Sequence, residues 1–151
     1  VIAKKLTHIG EDGAASMVDV GGKDVSVREA RACAQLRMSP EALRLVASGS
    51  PKGDVLQVAR IAGIQGAKRT ADLIPLCHSI PLDVVAVEFE VEVELGRIRI
   101  ESMARCSGRT GVEMEALTAV SVAALTIYDM CKAIDNEMQI TGIKVTSKTK
   151  R

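Results

Sequence analysis

The most regular pattern in the chain lies at residues 85–95. Val85, Val87, Phe89, Val91, Val93 and Leu95 alternate with Glu88, Glu90, Glu92 and Glu94. A period of two sends one set to each face of a pleated strand. Gly96 marks a turn, after which Ile98, Ile100 and Met103 return with Arg97, Arg99 and Glu101 among them. Glutamates facing arginines across such a hairpin make favourable pairs, and a solvated sheet face is the simplest account of them. Residues 27–38 alternate as well, with Ala30, Ala32, Ala34, Leu36 and Met38 set against Glu29, Arg31, Cys33, Gln35 and Arg37. That favours a strand, although so many alanines would also suit a helix. Residues 139–145 read as a final short strand.

Three helices are marked by their starts. Ser39-Pro40-Glu41 offers an N-cap serine and a proline at the first helical position, and Gly49 stops that helix. Lys52-Gly53-Asp54 is a tight loop whose aspartate can cap a second helix running to about Thr70. Thr110-Gly111-Val112-Glu113 has the spacing of a capping box and opens a long helix. Its uncharged stretch, residues 116–128, would span about 20 Å, too short for a bilayer. It reads as a buried helix. The order strand, helices, strand, strand, helix, strand is the split β-α-β arrangement of ferredoxin-like folds. The expected architecture is therefore α+β, one antiparallel sheet with helices on one face. The other face would be open, and a subunit contact could cover it. Residues 1–151 make a single domain, with a glycine-rich arm over residues 1–22 and a basic tail over residues 146–151.

Composition narrows the function. The 151 residues are 47% hydrophobic and 26% charged, with a formal net charge of only +1. No global field draws the chain to nucleic acid or membrane. Phe89 and Tyr128 are its only aromatic residues. Base-stacking on aromatic rings, the usual means of holding single strands, is thereby excluded. The four cysteines, Cys33, Cys77, Cys106 and Cys131, form no C-x-x-C pair, and only His8 and His78 could join them, a poor inventory for zinc. Nothing near the start reads as a signal peptide, and free thiols point to the cytosol.

Candidate chemistry is local. Asp129 and Lys132 share a helical face immediately after the uncharged stretch. On spacing alone an ordinary surface ion pair is the better reading. An aspartate there could also hold the amine charged or place it to donate a proton. Glu113 and Glu115 suit the helix dipole, yet residues two apart cannot face the same way, so one could enter a cleft. Residues 73–82, Leu-Ile-Pro-Leu-Cys-His-Ser-Ile-Pro-Leu, form an apolar stretch fenced by two prolines that fits neither a helix nor a central strand. Such a rigid loop, carrying His78, could wall a flat ligand. Lys52 stands just before a helix N-terminus, a place that attracts phosphate, although a solvated loop lysine is the plainer reading. Lys144, Lys148, Lys150 and Arg151 make the tail basic, either an anion clamp or a solubilising feature.

Together these stretches resemble a known family. Leu6-Thr7-His8, Met17-Val18-Asp19-Val20, Lys52-Gly53-Asp54, Ala62-Gly63-Ile64-Gln65, Leu73-Ile74-Pro75-Leu76-Cys77-His78, residues 110–117 (TGVEMEAL) and residues 125–133 (LTIYDMCKA) are similar to motifs of the molybdenum-cofactor biosynthesis protein C family, the cyclic pyranopterin monophosphate synthases. The resemblance implies a ferredoxin-like lyase that converts 3′,8-cyclo-7,8-dihydroguanosine 5′-triphosphate to cyclic pyranopterin monophosphate and releases pyrophosphate. It implies Asp129, Lys132 and Lys52 as catalytic residues. Leu76, Cys77, His78, Met114 and Glu115 would bind substrate, with Glu113, Arg28 and Lys148 as further pocket positions. It also implies a cytoplasmic homohexamer, a trimer of dimers, acting on a small GTP-derived cyclic nucleotide triphosphate. No metal ligands and no required cofactor are implied, though Mg²⁺ could accompany the triphosphate, and neither nucleic acid nor membrane is a partner. Ser79 stands where many relatives have proline, and Thr149-Lys150-Arg151 departs from the glycine-rich basic extension of the family.

The rival expectation is a non-catalytic ferredoxin-like module that binds nucleotide or RNA. It calls for basic and aromatic residues on the sheet face, where the clearest strand instead carries four glutamates. One more expectation follows from the long helix. Glu115 and Lys132 lie about 25 Å apart along it, too far for one pocket of one subunit. Residues 113–115 of one chain and residues 129–132 of another would then meet at an interface.

Overall fold

The computed structural model describes residues 6–49 and 53–151. Four strands and four helices follow one another as β1 (Ser26–Arg37), α1 (Pro40–Ser48), α2 (Val55–Lys68), α3 (Thr70–Leu73), β2 (Val84–Glu92), β3 (Arg97–Gly108), α4 (Glu113–Cys131) and β4 (Gln139–Lys150). The sheet is antiparallel throughout, in the order β2-β3-β1-β4. α2 and α4 pack on one of its faces. This is the α+β, ferredoxin-like arrangement expected from the order of elements.

The alternation in β1 resolves as a strand. Ala30, Ala32, Ala34 and Leu36 are fully buried on the helix side, so the alanines serve close packing against α4 rather than helix formation. Ile98, Ile100, Ala104 and Cys106 of β3 and Val87 of β2 complete that layer. On the opposite face Glu90 stands across from Arg99 and Glu92 from Arg97, and both pairs are bonded. Glu88 faces Glu101, and each finds an arginine elsewhere, Arg60 and Arg99 respectively. These charges satisfy one another on a solvated face.

The alternation predicts a strand to residue 95, but β2 ends at Glu92. A single 3-10 turn, Val93–Leu95, follows, closed by Gly96 in the left-handed region at φ 63°. Ser39 and Asp54 cap α1 and α2 as read, accepting from the backbone N–H of Ala42 and Gln57. The capping box at Thr110 is not formed. α4 begins at Glu113 itself, so Val112, whose side chain can accept no hydrogen bond, is the N-cap, and Glu113 pairs with Lys148. β4 runs well past residue 145, so the basic tail continues a hydrogen-bonded edge strand through Lys150.

α4 is apolar nearly all round because it is the central core helix. It is long and apolar enough to cross a membrane, yet Ala116, Ala119, Val120, Ala123, Ala124 and Ile127 are buried within the domain. Its first turns are tied to the sheet by Ser102 on β3, whose hydroxyl donates to the Ala116 carbonyl at 2.7 Å. α2 crosses it closely. A Cβ on Gly63 would lie 2.9 Å from the Ala119 carbonyl oxygen, and one on Gly66 would lie 2.8 Å from a Val122 methyl. Ala59, Gly63, Gly66 and Ala67 form the α2 side of this contact.

Candidate active site

The proline-fenced loop crosses the front of α4. Leu76, Cys77, His78 and Ile80 line a cavity of about 240 Å³ with Thr110, Gly111, Glu113, Met114 and Glu115, and His8 of the N-terminal arm completes it. Two fixed points hold the loop and the arm. His78 Nε2 donates to the Val18 carbonyl at 2.7 Å. A carbonyl can only accept, so in the neutral ring Nδ1 carries the lone pair. The arm itself turns back on Gly13, with Ile9 paired to Ala15 and the Ser16 N–H donating to the His8 carbonyl. The prolines and this bond make the segment a rigid wall.

Glu115 is the most unusual group in the cavity. It is 3% exposed, and its Oε2 is buried without a hydrogen-bond partner. Burial, followed by the nearby charge of Glu113, pushes its carboxyl up to about 7. Cys77 is also raised, by burial first and then by Glu115. A buried carboxyl poised near neutrality in the wall of a cavity is the kind of group that moves protons at physiological pH.

A second cavity of about 240 Å³ adjoins the first across Gly111 and Glu113. Its wall is Arg28, Glu29, Lys148, Thr149 and Lys150. The strand register explains the grouping. On the helix side of the sheet, Lys150 stands directly across from Arg28 and Lys148 across from Ala30. Lys148 Nζ lies 3.1 Å from Glu113 Oε1. A Cβ on Gly111 would meet the Glu113 carboxylate and displace it from this position. The N-terminus of α4 opens here as well, adding the positive end of a 19-residue helix to the cations.

Leu76, Cys77, His78, Glu113, Met114, Glu115, Arg28 and Lys148 thus lie around one end of α4, in two adjoining cavities that share Gly111 and Glu113. Asp129 and Lys132 lie at its other end. Their ion pair spans 2.7 Å and both side chains are well exposed. The hydrogen bond to Asp129, and then its charge, raise Lys132 above the usual lysine value, which keeps the amine protonated. Lys52 lies outside the described residues. Within one chain, then, the expected catalytic pair is not brought to the cavity.

Sequence reasoning assigned no individual site role to His8, Glu29, Ile80, Thr110, Gly111, Thr149 or Lys150, which also line these cavities. Thr110 and Gly111 read from the sequence as part of a helix cap, and His8 stands in one of the family motifs without a role of its own. Lys150 could have been found by extending the period of two beyond Val145, which carries it to the same face as Lys148.

The chain matches the MoaC family over residues 17–151. It is 60% identical over 145 residues, 95% of this chain and 92% of the relative, to the cyclic pyranopterin monophosphate synthase of Roseiflexus sp. (strain RS-1). It is 59% identical over 145 residues to that of Herpetosiphon aurantiacus, covering 95% of this chain and 88% of the relative. With that of Brucella canis the identity is 57% over 148 residues, 97% of this chain and 90% of the relative.

Proposed function

The chain belongs to the MoaC family, and on that footing we propose that it converts 3′,8-cyclo-7,8-dihydroguanosine 5′-triphosphate to cyclic pyranopterin monophosphate, releasing pyrophosphate as a lyase. The observation that carries this reading is the pair of adjoining cavities around Gly111 and Glu113, one suited to a base and the other to phosphates. The guanine-derived ring fits the side walled by Leu76, Cys77, His78 and Met114. Its N–H and amino groups would donate to Glu115, the one buried carboxyl in the site with an oxygen still unpartnered. Near neutrality Glu115 can also accept or return a proton as the rings open and close. The triphosphate fits the side where Arg28, Lys148 and the α4 N-terminus concentrate positive charge, which stabilises departing pyrophosphate.

Asp129 and Lys132 enter this reading from a second subunit. Their exposure and their distance from the cavity along α4 suit a pair that completes a neighbour's site. There the protonated Lys132 would act as proton donor, with Asp129 orienting it. Lys52 is the other catalytic lysine in this reading. The assembly is proposed as a homohexamer of three dimers working in the cytoplasm, with no cofactor required and Mg²⁺ at most as a companion of the triphosphate.

The test is conversion of the purified cyclic nucleotide to pterin product. Wild-type protein should form it, while Asp129→Asn and Lys132→Ala should each lower the rate by about a hundredfold or more. Thermal melting should stay close to wild type, because the pair is exposed. Native-rate product formation by both variants would overturn the assignment.

A further inference from the structure

We propose that Lys150 is a phosphate-binding residue, the third cation of a cradle formed with Arg28 and Lys148. The inference rests on the reading of the second cavity as the polyphosphate side of the site and adds to it a residue that reading does not use.

Three observations carry it. The first is register. Lys150 faces Arg28 across the β1–β4 ladder, on the same face as Lys148 and Glu113. The pairing does not fray at this point, because Arg151 and Val27 exchange both backbone hydrogen bonds at 3.0 Å immediately beyond it. The second is charge balance. Of the two carboxylates lining the cavity, Glu113 is taken by Lys148 and Glu29 by Arg31. Among the described residues no ion pair engages Arg28 or Lys150. The third is an unsatisfied donor. Arg28 Nε is buried with no hydrogen-bond partner. A guanidinium N–H left in that state favours an anionic acceptor in the cavity, which would bring that acceptor beside the residue directly opposite Arg28.

Lys144 supplies an internal control. It lies on the same strand but stands across from Cys33, on the open face of the sheet. A field effect of the basic strand would involve Lys144 as much as Lys150, whereas a cradle would involve Lys150 alone.

The experiment is calorimetric titration of the full chain with inorganic tripolyphosphate, together with steady-state kinetics on the cyclic nucleotide. Lys150→Ala should weaken tripolyphosphate binding about fivefold and raise KM by a similar factor, with a smaller change in kcat. Lys150→Arg should restore binding, and Lys144→Ala should bind as the wild type does. The proposal is overturned if Lys150→Ala binds as tightly as wild type, or if Lys144→Ala is weakened equally. It also falls if the wild-type chain does not bind tripolyphosphate at all. That last outcome leaves the reaction itself to be judged by product formation.

Discussion

Glu115 couples the site to stability through its protonation. Its carboxyl titrates near 7 in the folded chain, well above the usual glutamate value, because folding removes it from water. The native state therefore holds a proton that the unfolded chain releases at lower pH. Stability from this group is fully present below the unfolded value and is lost as pH rises through the interval up to about 7. Wild-type protein should lose up to about 3 kcal/mol relative to Glu115→Gln between pH 5 and pH 8. Urea unfolding of both proteins across that range measures the difference, and parallel curves would show that Glu115 is not buried as described. The same substitution should lower activity, since glutamine can still hydrogen-bond the ring but cannot exchange a proton.

Among the elements, α2 and α4 depend on how closely their backbones approach. Gly63 meets the Ala119 carbonyl oxygen, a backbone atom that cannot turn aside as a side-chain tip can. Replacing a helical glycine with alanine ordinarily stabilises by about 1 kcal/mol. Here overpacking opposes that gain, and Gly63→Ala should destabilise by about 1–2 kcal/mol net in denaturant unfolding. A stabilised variant would mean that the helices are further apart. The consequence reaches the site, because α4 carries Glu113, Met114 and Glu115 at its start, and a displaced helix moves the base cavity. The hairpin of β2 and β3 has no such role. Glu90, Glu92 and Glu101 pair with Arg97 and Arg99 on its solvated face.

Across the whole molecule, one subunit holds two adjoining cavities at one end of α4 and the Asp129–Lys132 pair at the other. Shared sites make a specific expectation. Asp129→Asn and Glu115→Ala, each deficient alone, should regain about a quarter of wild-type activity when co-expressed, because random pairing restores that share of sites. Co-expressed variants that remain as inactive as either alone would place each site within a single chain. Full activity from a monomer, read by sedimentation at assay concentration, would do the same.

Much of the fold was legible because its signals are local. The alternation of β1, β2 and β3, the caps at Ser39 and Asp54 and the uncharged run of α4 each depend on residues near in sequence, where strand and helix periods leave a direct imprint. The motifs around Cys77-His78 and residues 110–117 and 125–133 carried the family and the types of residue in the site. What they could not show was assembly. The Thr110 capping box failed because α4 starts at Glu113 rather than after Thr110, and Glu113 instead meets Lys148, a residue far along the chain whose position depends on how β4 pairs with β1. The proton affinity of Glu115 depends on which groups cover it. The placing of Arg28, Lys148 and Lys150 in one cavity depends on a register that bulges shift twice along the ladder. Residue types, periods and caps are properties of the chain taken in order. Burial, charge pairing and the meeting of distant strands exist only once the chain has closed on itself, and these decide where the chemistry can occur.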